Sequence, residues 1–135
     1  MNPHWLALLG EVCLETGRAE EGLSAVREAL AAVEETEARF YEAELNRLRG
    51  ELLLVSGRPH ESGAEASFRK AIAIAGGQKA KSWELRAATS LARLLTRRGR
   101  REEAHALLAP VHGWFTEGFD TADLKEAKGL LNGLS

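Results

Sequence analysis

Three Gly-Arg dipeptides recur along this chain at nearly constant spacing, and they constrain its fold more than any other feature. Their glycines lie 40 and then 42 residues apart, each after a leucine-rich stretch, at Gly17, Gly57 and Gly99. A small residue also occurs seven positions before each of these glycines, at Gly10, Gly50 and Ala92. A repeat of about 40 residues is typical of solenoid proteins, in which similar units stack in a row.

Each unit is predicted to be a pair of helices joined by a tight turn. Glycine readily adopts the left-handed conformation that ends a helix, and the small residues allow the two helices to approach closely. One pair cannot bury its apolar side alone, so the pairs are expected to stack. The predicted first helices span 3–16, 37–56 and 80–98, and the predicted second helices span 19–35, 61–76 and 101–112.

The residues after the third pair differ from the repeats and predict a cap. A short helix is expected over 121–132, begun by Asp120 or Thr121 and ended by Gly133. Its apolar stripe consists of Leu124, Ala127 and Leu131. The aromatic residues expected to hold this cap in place are Trp114, Phe115 and Phe119. Terminal repeats need such a cap with a polar outer face.

The composition agrees with an all-α fold. Ala, Leu, Glu and Arg dominate the chain, and all four favour helices. No alternating apolar run of strand length is present. The sequence therefore predicts a single domain over 1–135, with repeats at 3–35, 37–76 and 80–112 and a cap at 114–135.

Several small and aromatic positions resemble the tetratricopeptide (TPR) pattern. Ala64, Phe68 and Ala71 fit that pattern in the second unit and Ala104 fits it in the third, whereas the first unit has Gly22 where alanine is usual. The resemblance implies a TPR-like superhelix of antiparallel helix pairs, with three pairs and a C-terminal capping helix.

A wider resemblance covers roughly residues 38–132 and is most specific in the segments AKSWELRAA and WFTEGFDT. This region resembles the C-terminal TPR-like part of large bacterial signalling proteins, which join an ATP-binding module, and often a nucleotide cyclase or DNA-binding domain, to a helical solenoid. The resemblance implies a scaffold or sensor role through protein contact, with the catalytic parts elsewhere. Two expectations stay open: a free-standing short protein, or a fragment of a larger one.

Composition also limits the compartment and the partners. The net charge of −2 argues against nucleic-acid binding by bulk electrostatics. No apolar run approaches the roughly 18 residues that span a bilayer. The N-terminus lacks the basic start of a secretory signal, and Cys13 is the single cysteine. We expect a cytoplasmic protein with no membrane partner.

The sequence contains no recognisable catalytic, cofactor or metal site. The four histidines are not accompanied by the cysteines or carboxylates that would complete a metal site: His4, His60, His105 and His112. Cys13 lies on the apolar side of the first helix, where we expect a buried, inert thiol. The prediction is a protein that is not an enzyme and has no cofactor.

The charges are strongly polarised along the chain. Residues 11–51 carry 11 acidic and 5 basic side chains, whereas residues 79–101 carry 8 basic and 1 acidic. In the basic stretch Arg86, Arg93 and Arg97 share one helix face because they are spaced by seven and four residues. In a TPR-like stack this face would line the concave groove, and the full predicted set is Glu44, Arg47, Glu51, Arg86, Arg93 and Arg97.

Three functions follow from these features. A groove with arginines suits a protein or peptide partner with an acidic segment or a carboxylate terminus, although a solvated face with local ion pairs is the alternative. The apolar residues of the first helix predict a homodimer through an uncovered end: Trp5, Leu6, Leu8 and Leu9. Weak nucleic-acid binding through the basic residues of 79–101 is the third, less favoured function.

Overall fold

The computed structural model describes residues 3–31, 41–56, 60–115 and 121–134, with side chains described from residue 8 onward. Every regular element in these ranges is an α-helix. The seven helices are α1 (Pro3–Glu15), α2 (Ala19–Ala31), α3 (Glu42–Ser56), α4 (Glu61–Gly77), α5 (Lys81–Arg97), α6 (Arg101–Gly113) and α7 (Ala122–Leu134). None of these helices combines the length and the apolar character that a membrane crossing requires. The predicted all-α class is confirmed.

Glycine turns join the helices of the first and third pairs, as the repeat predicts. Gly17 and Gly99 have φ angles of +75° and +78°, in the left-handed region. Arg18 and Arg100 each donate a backbone hydrogen bond to the carbonyl five residues earlier, at 2.7 and 2.8 Å. These bonds are those of the Schellman motif, which satisfies the last carbonyls of a helix. Gly57 of the second pair lies outside the described residues.

A lysine takes the same role between the second and third pairs. Lys79 has a φ of +57°, and the following Ala80 donates to the carbonyl of Ala75 at 2.9 Å. Gly76 and Gly77, the obvious glycines of this segment, instead belong to the last turn of α4. A left-handed lysine at this position was not indicated by the sequence, because amino acids that carry a Cβ adopt this conformation at an energetic cost.

The helices stack as a solenoid of two layers. Each helix contacts the next along the chain, and the odd-numbered helices also contact one another in the series α1–α3, α3–α5 and α5–α7. The even-numbered helices make no comparable contacts with one another among the described residues. The odd-numbered helices therefore form the inner, concave layer, and α7 is a fourth member of it.

Glycines set the closest approaches between helices. A Cβ atom on Gly50 of α3 would lie 2.7 Å from Cδ1 of the Phe68 ring in α4. A Cβ on Gly22 of α2 would lie 2.7 Å from Cδ2 of Leu52 in α3. The departure of Gly22 from the TPR pattern thus accommodates a leucine of the next pair.

The buried hydrophobic residues form two clusters that meet at α3. The smaller one lies between α2 and α3 and consists of Ala25, Val26, Ala29, Leu45, Leu48 and Leu52. The larger one extends from α4 to α7 and consists of Ala64, Phe68, Leu85, Ala88, Leu91, Ala92, Leu94, Leu95, Ala104, Leu108, Val111, Leu124 and Ala127. Among the described residues, the larger cluster therefore lies toward the C-terminal end.

The capping helix differs from its prediction at its end. Thr121 Oγ1 accepts the backbone N–H of Leu124 at 3.4 Å, so Thr121 occupies the N-cap position. Asp120 lies outside the described residues. The prediction that Gly133 ends the helix is wrong, because α7 continues through Leu134. Leu134 packs against the larger cluster, and the Arg101 guanidinium donates to the Gly133 carbonyl at 2.5 Å.

The aromatic residues before the cap divide into different roles. Phe115 packs against the larger core cluster, as predicted. Trp114 is 58% exposed, so its ring adds little to the core. It packs edge-on against Phe115 with ring centroids 5.2 Å apart. Phe119 lies outside the described residues.

Candidate functional site

A narrow cleft runs along the inner layer of the solenoid. Its volume of ≈190 Å³ is below the roughly 300–1,000 Å³ of pockets that hold drug-sized ligands. All four odd-numbered helices contribute to its lining: Leu14, Arg47, Glu51, Arg86, Thr89, Ser90, Arg93, Asp123 and Glu126. The size suits a few side chains of a bound polypeptide.

Glu44 joins two repeats at one end of this groove. Its carboxylate is almost fully buried and accepts hydrogen bonds from Arg47 on the same helix and from Arg86 on α5. The Arg86 bond, from Nη1 to Oε2, is 2.5 Å long. Arg47 also lies 3.6 Å from Glu11 of α1, and Arg86 lies 3.3 Å from Asp123 of α7. One charge network therefore crosses all four inner helices.

Arg93 forms a second, more open bridge across the groove. Its guanidinium lies 3.9 Å from Glu51 of α3 and also pairs with Glu126 of α7. The Glu51 side chain is 18% exposed, whereas Arg93 and Glu126 are 43% and 54% exposed. Such partly solvated pairs contribute little to stability, so a ligand can replace one of the partners at small cost.

The pKa of Arg86 reflects the balance of charges around it. Burial of its side chain disfavours the charged form and acts to lower the pKa, but the nearby carboxylates of Glu44, Asp123 and Glu11 outweigh this effect. The net result is a pKa raised above its ordinary value. The guanidinium is thus fixed as a cation that neutralises this end of the groove.

The carboxylates in these two bridges outnumber the cations. The acidic members are Glu11, Glu44, Glu51, Asp123 and Glu126, and the basic members are Arg47, Arg86 and Arg93. Each arginine already contacts at least two carboxylates. The cleft lining itself is balanced, with three acidic and three basic side chains, so the groove is not the basic wall that the arginines alone indicated.

The structure brings most of the predicted groove residues together. Five of the six take part in the two bridges: Glu44, Arg47, Glu51, Arg86 and Arg93. Arg97 lies in the last turn of α5, exposed, outside the cleft lining. Asp123 and Glu126 were not among the predicted groove residues, because α7 was predicted only as a cap. Their three-residue spacing, which places both on one helix face, was the available signal.

The basic stretch 79–101 does not form one surface. Five of its eight cations contact carboxylates within the described residues: Lys81, Arg86, Arg93, Arg98 and Arg100. Lys79 precedes α5, whereas Arg97 ends α5 and Arg101 begins α6. The 17 residues of α5 separate its two ends by about 25 Å. This division gives no support to nucleic-acid binding.

A second ion cluster holds α4 against the turn between α5 and α6. The Glu65 carboxylate accepts hydrogen bonds from Arg98 and Arg100, each at 2.9 Å, and from Arg69 at 3.1 Å. Glu103 pairs with Arg69 and Arg100, each at 2.7 Å. Arg100 and Glu103, which border a wide depression of ≈850 Å³, are therefore already engaged with their own chain.

The first helix carries an exposed apolar strip. Leu8 and Leu9 are 42% and 41% exposed, and Val12, which the sequence analysis did not include, is 54% exposed. The side chains of Trp5 and Leu6, also predicted there, lie outside the described residues. The strip is bordered by Glu11 and Glu15.

Potential metal ligands and nucleophiles are dispersed. Within the described ranges, no group of three or more His, Cys, Asp or Glu side chains is arranged to hold a metal ion. Cys13 is buried with 2% exposure, as predicted for a structural thiol.

Comparison of the chain with models of protein families, with curated proteins and with solved structures found no match. The geometry of the groove and of the α1 strip consequently carries the functional interpretation.

Proposed function

We propose that this chain is a protein-interaction module that binds an extended segment of another protein in its inner groove. The observation that carries the proposal is the cleft itself, to which all four inner helices contribute polar and charged side chains. A solenoid presents such a continuous concave surface because its repeats stack in a row. The module would act as a scaffold or sensor arm, a role that rests on the resemblance to bacterial signalling solenoids.

The charge balance favours a cationic segment over the acidic one suggested by the arginines alone. An incoming carboxylate would have to displace carboxylates that already hold Arg86 and Arg93. A lysine or arginine side chain would instead meet two carboxylates, Glu51 and Glu126, that share the single cation Arg93. The open Glu51–Arg93–Glu126 bridge is the place where this exchange costs least, because its members are partly solvated.

The test is a binding assay with fluorescent nonapeptides of cationic, anionic and neutral composition. We expect the wild-type chain to prefer cationic peptides and to release them as salt rises, because exposed charges are screened. The double variant Glu51→Gln with Glu126→Gln should weaken this binding by about tenfold. The matched control is Glu28→Gln on α2, an exposed carboxylate far from the cleft lining.

Two results would contradict this version of the function. Equal weak binding of all three peptide classes would argue against the groove as a binding site. A preference for anionic peptides that is lost in the variant Arg93→Glu with Arg97→Glu would contradict the cationic partner and support an acidic one. Circular dichroism of each variant separates lost binding from lost folding.

A further inference from the structure

The exposed large hydrophobic residues are concentrated at one end of the solenoid. Of the five in the described part of the chain, three lie on α1, namely Leu8, Leu9 and Val12. The other two, Val55 and Trp114, are on α3 and after α6. Exposed apolar residues scattered singly are ordinary, but a contiguous strip on one helix marks an interaction surface.

The repeat register identifies what this strip corresponds to. A shift of 40 residues places Leu8 and Val12 on Leu48 and Leu52 of α3, both fully buried. Leu52 packs over Gly22 of the preceding pair, so these leucines form the interface between repeats. Leu8 and Val12 of the α1 strip therefore occupy the same inter-repeat positions, and both are exposed in the described structure.

The third pair follows the same rule. A further shift of 42 residues places the two positions on Ser90 and Leu94 of α5, which are 3% and 0% exposed. Only in α1 are these positions open among the described helices. An occupant of the strip must therefore present a helix face, because helices cover the equivalent residues in both other pairs.

The described exposed face of α7, toward the other end of the chain, offers no large apolar residue. The exposed residues of α7 are polar, charged or small, with Lys125, Lys128, Gly129 and Asn132 among them. No large hydrophobic residue of α7 is exposed in the described structure. Head-to-tail stacking would set the α1 strip against this polar face. Contact between two identical strips buries apolar residues on both sides and closes after two copies.

We infer that two copies of this chain associate through α1, with their first helices antiparallel about a two-fold axis. An axis at the level of residue 10 places Leu8 of one copy opposite Val12 of the other. Glu11 and Glu15 border the strip, so the pairing brings like charges to the rim of the contact. Apolar burial must outweigh this repulsion, and salt should therefore strengthen the dimer by screening it.

Sedimentation equilibrium of the full chain over a wide concentration range tests the inference. We expect a monomer–dimer equilibrium whose dissociation constant decreases as the NaCl concentration is raised from about 0.05 to about 0.5 M. The variant Leu8→Glu with Val12→Glu should raise this constant by roughly a hundredfold, because it removes two apolar contacts from each strip. Val55→Glu is the matched control, since Val55 is equally exposed but lies on α3.

Circular dichroism of both variants should show the wild-type helix content, because all three residues are exposed. A wild-type chain that stays monomeric at about 0.5 mM, well above a micromolar dissociation constant, would overturn the inference. So would assembly beyond two copies, equal loss of the dimer in Val55→Glu, or a dimer that weakens with salt. Peptide binding in the groove is measured separately, and its failure leaves this result unaffected.

Discussion

At the scale of single residues, the contact between Gly50 and Phe68 sets the distance between two helices. Phe68 is fully buried, and its ring fills the space that a side chain on residue 50 would need. Interiors are packed as densely as organic crystals, so the ring has little room to move aside. The small residue seven positions before the turn is thus a steric requirement in the second pair.

We expect Gly50→Ala to lower the free energy of unfolding by about 1–2 kcal/mol, since overpacking costs about 1–3 kcal/mol and the higher helix propensity of alanine returns part of it. Gly76→Ala is the control, because no atom lies within 4 Å of a Cβ built there. It should raise stability by about 0.5–1 kcal/mol. Urea unfolding followed by circular dichroism measures both, and a neutral Gly50→Ala would refute the steric role.

Single residues also show where prediction from sequence stopped. Helical spacing correctly placed Arg86 and Arg93 on one face, because that spacing is local geometry. It could not identify their partners Asp123 and Glu126, which lie 37 and 33 residues away in sequence. Their proximity in space is set by the way α7 docks on α5. The charge balance of the groove lining therefore depended on tertiary packing.

At the scale of helices, the Glu65 cluster fastens α4 to the turn before α6. Burial acts to raise the pKa of Glu65, but hydrogen bonds from Arg69 and Arg100 outweigh it and hold the pKa below the ordinary value of 4.5. The pKa of Glu103 is lowered as well, by its hydrogen bonds with Arg69 and Arg100. Both carboxylates thus favour the folded state in their ionised form.

We expect Glu65→Gln to destabilise the chain by about 1–2 kcal/mol at neutral pH, a value reduced by partial solvation of the cluster. The stabilisation is complete above the unfolded pKa near 4.5 and is lost as the pH falls through the lower folded pKa. Thermal melts from pH 7 to about pH 3 should therefore show the difference between variant and wild type shrinking below that value. A pH-independent difference would indicate lost packing instead, and Glu28→Gln should show no comparable effect.

The helices themselves were largely predictable. Their starts and ends agree with the sequence to within a few residues wherever both are described, since glycine turns and helix-favouring composition act locally. The left-handed Lys79 and the extension of α7 through Leu134 were not predictable. The end of α7 makes a contact with another helix, the Arg101 hydrogen bond to the Gly133 carbonyl. The turn at Lys79 is closed by the local bond from Ala80 to Ala75, with a non-glycine residue in the left-handed region that composition alone does not favour.

At the scale of the whole molecule, the two core clusters differ in size. The described residues include thirteen buried members in the cluster from α4 to α7 and six in the cluster between α2 and α3. In a solenoid each repeat is stabilised by its own core and by its neighbours, so stability varies along the stack. The N-terminal pair has a neighbour on one side only in this structure.

We therefore expect amide hydrogens of α1 and α2 to exchange faster than those of α4 and α5, by sub-global opening of the first pair. Hydrogen exchange followed by mass spectrometry measures this directly. Because dimerisation would protect α1 from exchange, the measurement should be made on the variant Leu8→Glu with Val12→Glu. Uniform exchange along the chain would mean that the solenoid opens as one unit.

The inner charge bridges also have a mechanical consequence. Each even-numbered helix packs against the odd-numbered helices before and after it and so separates them. The ion pairs of Glu44, Arg86 and Arg93 act in the opposite sense, as ties that connect the inner helices. Under the proposed function, a cationic ligand that takes Glu51 or Glu126 from Arg93 would release one tie. Occupation of the groove would then loosen the link of α5 to α3 or α7, while the helices themselves stay unchanged.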